Sequence, residues 1–280
     1  MHKKPLDLTR LNETIHRNMA YVGALPHDRL FDMDEDERRS VRRKALAASA
    51  IYLAKRHEAE RGPYDLDSHL YQLIGQTEGF YQAQCDLDSF RYENREINWR
   101  NIPETKIEDF EQNRKMVTAY NHTVHEIINA GASKFGFNEL ANFMTNIHVN
   151  GGGSSSAEHF HQLAVSTVIG MRTEISVEQI LIDRGIEYDL GSEAQDIKGG
   201  DIIIAGIGLD LKTSELSAKN AKEIARKRGH NPDRIIWAGI QSEDYEGKLI
   251  LPSDKYDRVA AHLLPAIETA IGSDAMSRVS

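Results

Sequence analysis

Three ionisable residues stand out because almost everything around them is apolar. In residues 199–214, Gly-Gly-Asp201-Ile-Ile-Ile-Ala-Gly-Ile-Gly-Leu-Asp210-Leu-Lys212-Thr-Ser, Asp201 opens one apolar run, and Asp210 and Lys212 close the next. Two such runs around a Gly-containing turn read as a β-hairpin, Asp201–Ala205 and Ile207–Lys212. Side chains alternate along a strand, so Asp210 and Lys212 share one face and Ile207, Leu209 and Leu211 the other. In a tight antiparallel pair the start of the first strand lies across from the end of the second, which brings Asp201 to the same place. Carboxylates gathered in this way hold a hard divalent cation through oxygen. Such a cation offsets charge on a phosphate and lowers the pKa of a bound water. A neighbouring lysine orients that water or stabilises developing negative charge. Phosphodiester hydrolysis is the chemistry these groups suit; the structural alternative is a turn-marking Asp201 beside an ordinary Asp210–Lys212 pair.

The elements that must position these residues fall into two textures. Before residue 150 the pattern is helical throughout. One helix opens on Asp34-Glu35-Asp36-Glu37, carries Val41, Ala45, Ala48 and Tyr52, and stops at Gly62-Pro63; others are expected at about 66–84, 105–131 and 137–148. Residues 86–103 read as an irregular connection. Asn150-Gly151-Gly152-Gly153-Ser154-Ser155-Ser156 then breaks the chain. After it come a helix from Ala157 to about Ile169, a short helix at 176–184, and strands at Ile186–Leu190, 201–205 and 207–212. A helix Ser214–Arg228, a strand Arg234–Ile240 and a last helix at 254–271, interrupted by Pro265, complete the order. We place a domain boundary at the Gly/Ser break, with an all-helical recognition or oligomerisation domain at 1–149 and an α/β domain at 150–280.

Asp201, then Asp210-Leu211-Lys212 on the next strand, then Thr213-Ser214 and a basic helix, resemble the signature of the restriction-endonuclease-like nuclease superfamily, also called PD-(D/E)XK. That family's core runs helix, three strands, helix, strand, the order read above over roughly residues 155–240. Two departures are visible: Gly200 stands where the family motif has proline, and the acidic residue the family often carries on its first core helix has only Glu158 as its match, with Glu193 as a substitute. The resemblance implies an α/β (α+β) fold with a mixed central sheet flanked by helices. It implies Asp201, Asp210 and Glu158 as ligands of Mg²⁺, for which Mn²⁺ would substitute, and Lys212 as the residue that positions the attacking water. It also implies DNA as substrate, endonucleolytic cleavage, with a restriction enzyme as one candidate, and a homodimer for double-strand cuts. Thr213 and Ser214 would donate to phosphate or cap the following helix, and Lys219, Lys222, Arg226 and Arg228 would track the backbone.

The run from Asn150 to Gln162, containing His159 and His161, supports a second reading. A Gly/Ser loop before His-x-His resembles the histidine-triad and galactose-1-phosphate uridylyltransferase group, in which a histidine attacks phosphorus; His161 would take that role here. Leu163 occupies the position where that pattern wants His or Gln, and the sheet it needs before the motif is replaced by helices. The Gly/Ser run is also similar to the phosphate loop of galactokinase-type small-molecule kinases, though the strands expected before it are missing. Alternate helix positions diverge by about 200°, so His159 and His161 would not share a metal. His122 and His125 read as structural or surface residues. A third reading is a non-catalytic nucleic-acid-binding module that keeps a nuclease-like fold.

Bulk composition narrows the field. A formal net charge of −9 argues against a protein that coats nucleic acid by overall electrostatics. The cations are concentrated locally: Lys212, Lys219, Lys222, Arg226, Lys227, Arg228 and Arg234 face only Glu215, Glu223 and Asp233 in the same stretch. The single cysteine, Cys85, excludes an internal disulfide and points to a reducing, cytoplasmic setting. No stretch approaches the ~18 apolar residues of a membrane span, and the basic N-terminus has no apolar segment behind it.

Overall fold

The computed structural model describes residues 66–94, 102–131, 136–150, 156–190, 200–227, 229–272 and 275. The helix expected over 34–62, Glu193, Arg228 and most of the Gly/Ser run lie outside these residues. Three helices come first: α1 (Leu66–Glu93), α2 (Glu104–Gly131) and α3 (Phe137–Asn150). Each carries an apolar stripe at helical spacing. On α1 it is Leu66, Leu70, Leu73, Phe80 and Leu87; on α2, Tyr120, Val124 and Ile127; on α3, Leu140, Met144 and Ile147, all buried. All of these except Leu87 meet in one helical core, where the rings of Phe80 and Tyr120 stack with centroids 4.0 Å apart.

A single 27-residue helix, α4 (Ala157–Asp183), replaces the two shorter ones expected. Gly170 and β-branched residues weaken the pattern near its middle. The helix persists because its apolar stripe changes phase there instead of ending. Phe160, Ala164, Val168, Met171 and Ile175 face the helical core, whereas Val177, Ile180 and Leu181 face a second core built on the sheet. The change of core therefore falls within α4, at about 175–177, and not at the Gly/Ser break.

The rest is a mixed four-stranded sheet with two helices. Its strands are β1 (Asp189–Leu190), β2 (Ile202–Ile204), β3 (Ile207–Lys212) and β4 (Ile235–Trp237), in spatial order β1-β2-β3-β4. The first two pairings are antiparallel and β3-β4 is parallel. Helix α5 (Glu215–Lys227) makes the crossover that a parallel pair requires. The β2-β3 turn places Ala205 and Gly206 at φ 50° and 77°, the two-residue turn whose twist matches a hairpin.

Strand β1 is shorter than expected because Ile186 belongs to the end of α4. Its amide donates to the Leu181 carbonyl, 2.9 Å, around Gly185 at φ 67°. Helix α6 (Tyr256–Ile271) runs through Pro265 without a break. Pro265 is exposed, as is Ala261, whose carbonyl loses its helical donor to the proline ring and can turn to water. The buried residues of α6, Val259, Leu263 and Ile267, close the second core over Ile236 and Leu209. Among the described residues, no helix is long and apolar enough to cross a membrane.

Candidate active site on the β2-β3 hairpin

The register Ile202↔Leu209 places Asp201 opposite Asp210, one residue beyond the paired strand. Residues directly opposed in an antiparallel pair point to the same face, and Lys212 follows on that face two residues later. Burial agrees with this: Ile202, Ile204, Leu209 and Leu211 are buried, whereas Asp201, Asp210 and Lys212 are half-exposed. The hairpin thus brings together the three residues singled out in the sequence.

Each carboxylate also has a partner within the protein. Asp201 Oδ2 accepts the Leu211 amide at 2.6 Å, standing in for a backbone carbonyl where the ladder ends; the Asp201 amide itself donates to the Leu209 carbonyl, 2.9 Å. Asp210 Oδ1 is paired with Lys212 Nζ. A carboxylate offers about four lone-pair directions over two oxygens, so one contact does not exhaust it. Across the parallel ladder, Ile235 lies beside Asp210 and Trp237 beside Lys212.

Two half-exposed carboxylates on one face fit Mg²⁺. That ion commonly takes one or two protein carboxylates and completes its shell with water and substrate oxygen. Among the described residues no group of three or more His, Cys, Asp or Glu side chains is gathered as a metal cage.

Glu158 is not brought to the hairpin. It is exposed in the first turn of α4, ~28 Å of helix rise from Val177, where contact with the sheet core begins. Glu174, half-buried, lies on the same face of α4 as Val177 and Leu181, three and seven residues on. Val177 and Leu181 pack in the core that the hairpin completes with Ile202, Ile204, Leu209 and Leu211. That core lies on the face of the hairpin opposite Asp201 and Asp210, and among the described residues no acid of α4 is gathered with the two aspartates as a metal group.

Ser214 is the cap of α5: its Oγ accepts the Ser217 amide at 3.1 Å, and Ser217 Oγ donates back to the Ser214 carbonyl at 2.9 Å. Thr213 is exposed beside it. Ala218 and Ala225 form the buried face of α5, while Lys219 and Arg226 are exposed and Lys222 is half-exposed. Lys227 pairs with Glu223 at 2.8 Å, and that contact, with Lys219 and Arg226 nearby, holds the Glu223 carboxyl below its ordinary range.

The histidines lie elsewhere. His159 Nδ1 is 3.3 Å from Tyr81 Oη, and His161 Nδ1 is 2.9 Å from Thr145 Oγ1. His125 is buried, with Nε2 2.7 Å from Glu178 Oε1; Glu178 Oε2 accepts from Tyr188 Oη at 3.2 Å. This network links α2, α4 and the approach to β1. Compared with protein-family models, curated proteins and solved structures, the chain matches none.

Proposed function

We infer that the protein is a Mg²⁺-dependent nuclease that hydrolyses phosphodiester bonds of DNA at the β2-β3 hairpin, built on a restriction-endonuclease-like core. The observation that carries this reading is the opposition of Asp201 and Asp210 on one half-exposed face, with Lys212 in contact with Asp210. The order helix, three strands, helix, strand from α4 to β4 supports the same reading.

Asp201 and Asp210 would hold the ion, with water and substrate oxygen completing its shell. Bound there, the ion would supply Lewis-acid stabilisation of the phosphate and a more acidic water. Lys212 stands on the same face with its ammonium against Asp210. There the ammonium would offset the negative charge that develops on the phosphate. Lys219, Lys222 and Arg226 would steer the phosphate backbone towards the hairpin, offsetting locally the repulsion of an acidic chain. Cutting both strands of a duplex at one place would call for two copies of the chain.

The test is incubation of the purified protein with plasmid, linear and single-stranded DNA, in Mg²⁺, Mn²⁺ or EDTA. Cleavage in either metal and none in EDTA is the expected result. Absence of cleavage on all three substrates in both metals would overturn the reading.

A further inference from the structure

A second group of reactive side chains lies far from the hairpin, where the end of α3 meets the start of α4. Ser156 occupies the N-cap position of α4 but makes no side-chain capping hydrogen bond. Its Oγ lies 2.8 Å from His148 Nε2 instead. An N-cap serine ordinarily spends its hydroxyl on the amides of the first turn; this one is turned to an imidazole.

The imidazole is held firmly. His148 is buried, its ring stacks on Phe160 with centroids 4.3 Å apart and planes within 8°, and Tyr81 packs on it at 4.5 Å. Packing thus fixes the ring orientation that the base of a nucleophile–base pair requires. The first-turn amides of α4, which the Ser156 side chain does not cap, lie at the positive end of a long helix dipole and suit an oxyanion formed at the serine.

We propose that Ser156 and His148 form a nucleophile–base dyad for acyl transfer from neutral carboxylic esters. Glu158, exposed in the same turn, disfavours anionic substrates such as phosphate esters, while the half-buried Tyr81 ring beside His148 favours an apolar acyl or aromatic group. In the reaction Ser156 Oγ attacks the ester carbonyl carbon as His148 Nε2 takes the hydroxyl proton. The carbonyl carbon–alkoxy bond then breaks, and the departing alcohol receives that proton from His148. Water, deprotonated by His148, next attacks the acyl-serine, releasing the carboxylic acid and restoring Ser156.

The test uses the full chain with a fluorophosphonate probe, mass-spectrometric mapping of the adduct, and p-nitrophenyl acetate hydrolysis. Expected are an adduct on Ser156, its loss in Ser156→Ala, and labelling and ester hydrolysis slowed at least about tenfold in His148→Gln. As a check independent of the fold of His148→Gln, the thiol introduced by Ser156→Cys, beside an intact His148, should react with iodoacetamide faster than Cys85 at neutral pH. No adduct on Ser156 in the folded protein, equal rates in folded His148→Gln, or an introduced thiol no faster than Cys85 would overturn the proposal.

Discussion

The carboxylate of Asp201 accepts the backbone amide of Leu211 at 2.6 Å, so one oxygen of a candidate metal ligand also ends the β2-β3 ladder. This double use separates the structural from the chemical contribution of Asp201. Asp201→Ala should leave the Leu211 amide without its acceptor and cost about 1–3 kcal/mol of unfolding free energy. Asp201→Asn keeps an acceptor oxygen and should lose much less stability, yet it removes the charge and should abolish nuclease activity as fully as alanine does. Urea melts beside cleavage rates check this; equal stability losses in the two variants would show that the amide contact contributes nothing.

The buried His125–Glu178 contact ties the helical core to α4. Glu178→Ala or His125→Ala should each cost about 2–4 kcal/mol, between the values for a neutral hydrogen bond and a buried ion pair, because the remaining partner stays buried with this hydrogen bond unmade. Replacing both with apolar residues should recover part of the loss. A double-mutant cycle in denaturant measures this; strictly additive losses would mean that the two residues are not coupled.

Alkaline pH should unfold the protein over a defined window. Burial, with the nearby Glu178 carboxylate, pushes the Tyr188 phenol up to about 12, and burial raises Tyr120, Tyr245 and Tyr256 as well. These folded-state values lie above that of an unfolded tyrosine, near about 10. The folded chain therefore holds those protons more tightly. The resulting stabilisation is complete below about pH 10 and is lost as pH rises through the folded values. Absorbance at about 295 nm should show some tyrosines ionising near pH 10 and others only as the far-ultraviolet circular dichroism collapses. Tyr188→Phe should make the stability loss between about pH 10 and 12 shallower. Ionisation of every tyrosine near pH 10 in a still-folded protein would contradict this.

Gly170 sits within α4, and a Cβ built on it meets nothing within 4 Å. Gly170→Ala should therefore raise stability by about 0.5–1 kcal/mol through helix propensity. At Gly239, φ is 72° and a Cβ would collide with the His262 ring, so Gly239→Ala should destabilise. Thermal melts of the two variants should move in opposite directions.

The hairpin was legible in the sequence because its signal is local. Alternation across Ile207–Lys212 and a Gly-containing turn suffice to put Asp201, Asp210 and Lys212 together, and Ser214 with Ser217 marks the start of α5. Helix α4 was not legible as one element. Its apolar stripe shifts phase from Ile175 to Val177 as it passes from one core to the other, and a shift in phase looks like a break when only one face is followed. Following only the start of α4 put forward Glu158, which lies in the first turn, well short of where the helix meets the sheet core. The buried partnership of His125 with Glu178, 53 residues apart, depends on how α2 packs against α4, which no local pattern encodes.

The most direct measurement of the central claim is the single-turnover rate of Mg²⁺-dependent DNA cleavage in wild type, Asp210→Ala and Lys212→Ala, each shown to be folded by circular dichroism. Asp210 and Lys212 are only 22% and 28% exposed in their side chains but pair mainly with each other, so loss of either should leave the fold intact. The expected result is cleavage by wild type and a rate at least about 100-fold lower in both variants, as removal of a group acting on transition-state charge implies. Cleavage at the wild-type rate by either folded variant would contradict the assignment of the hairpin as the active site.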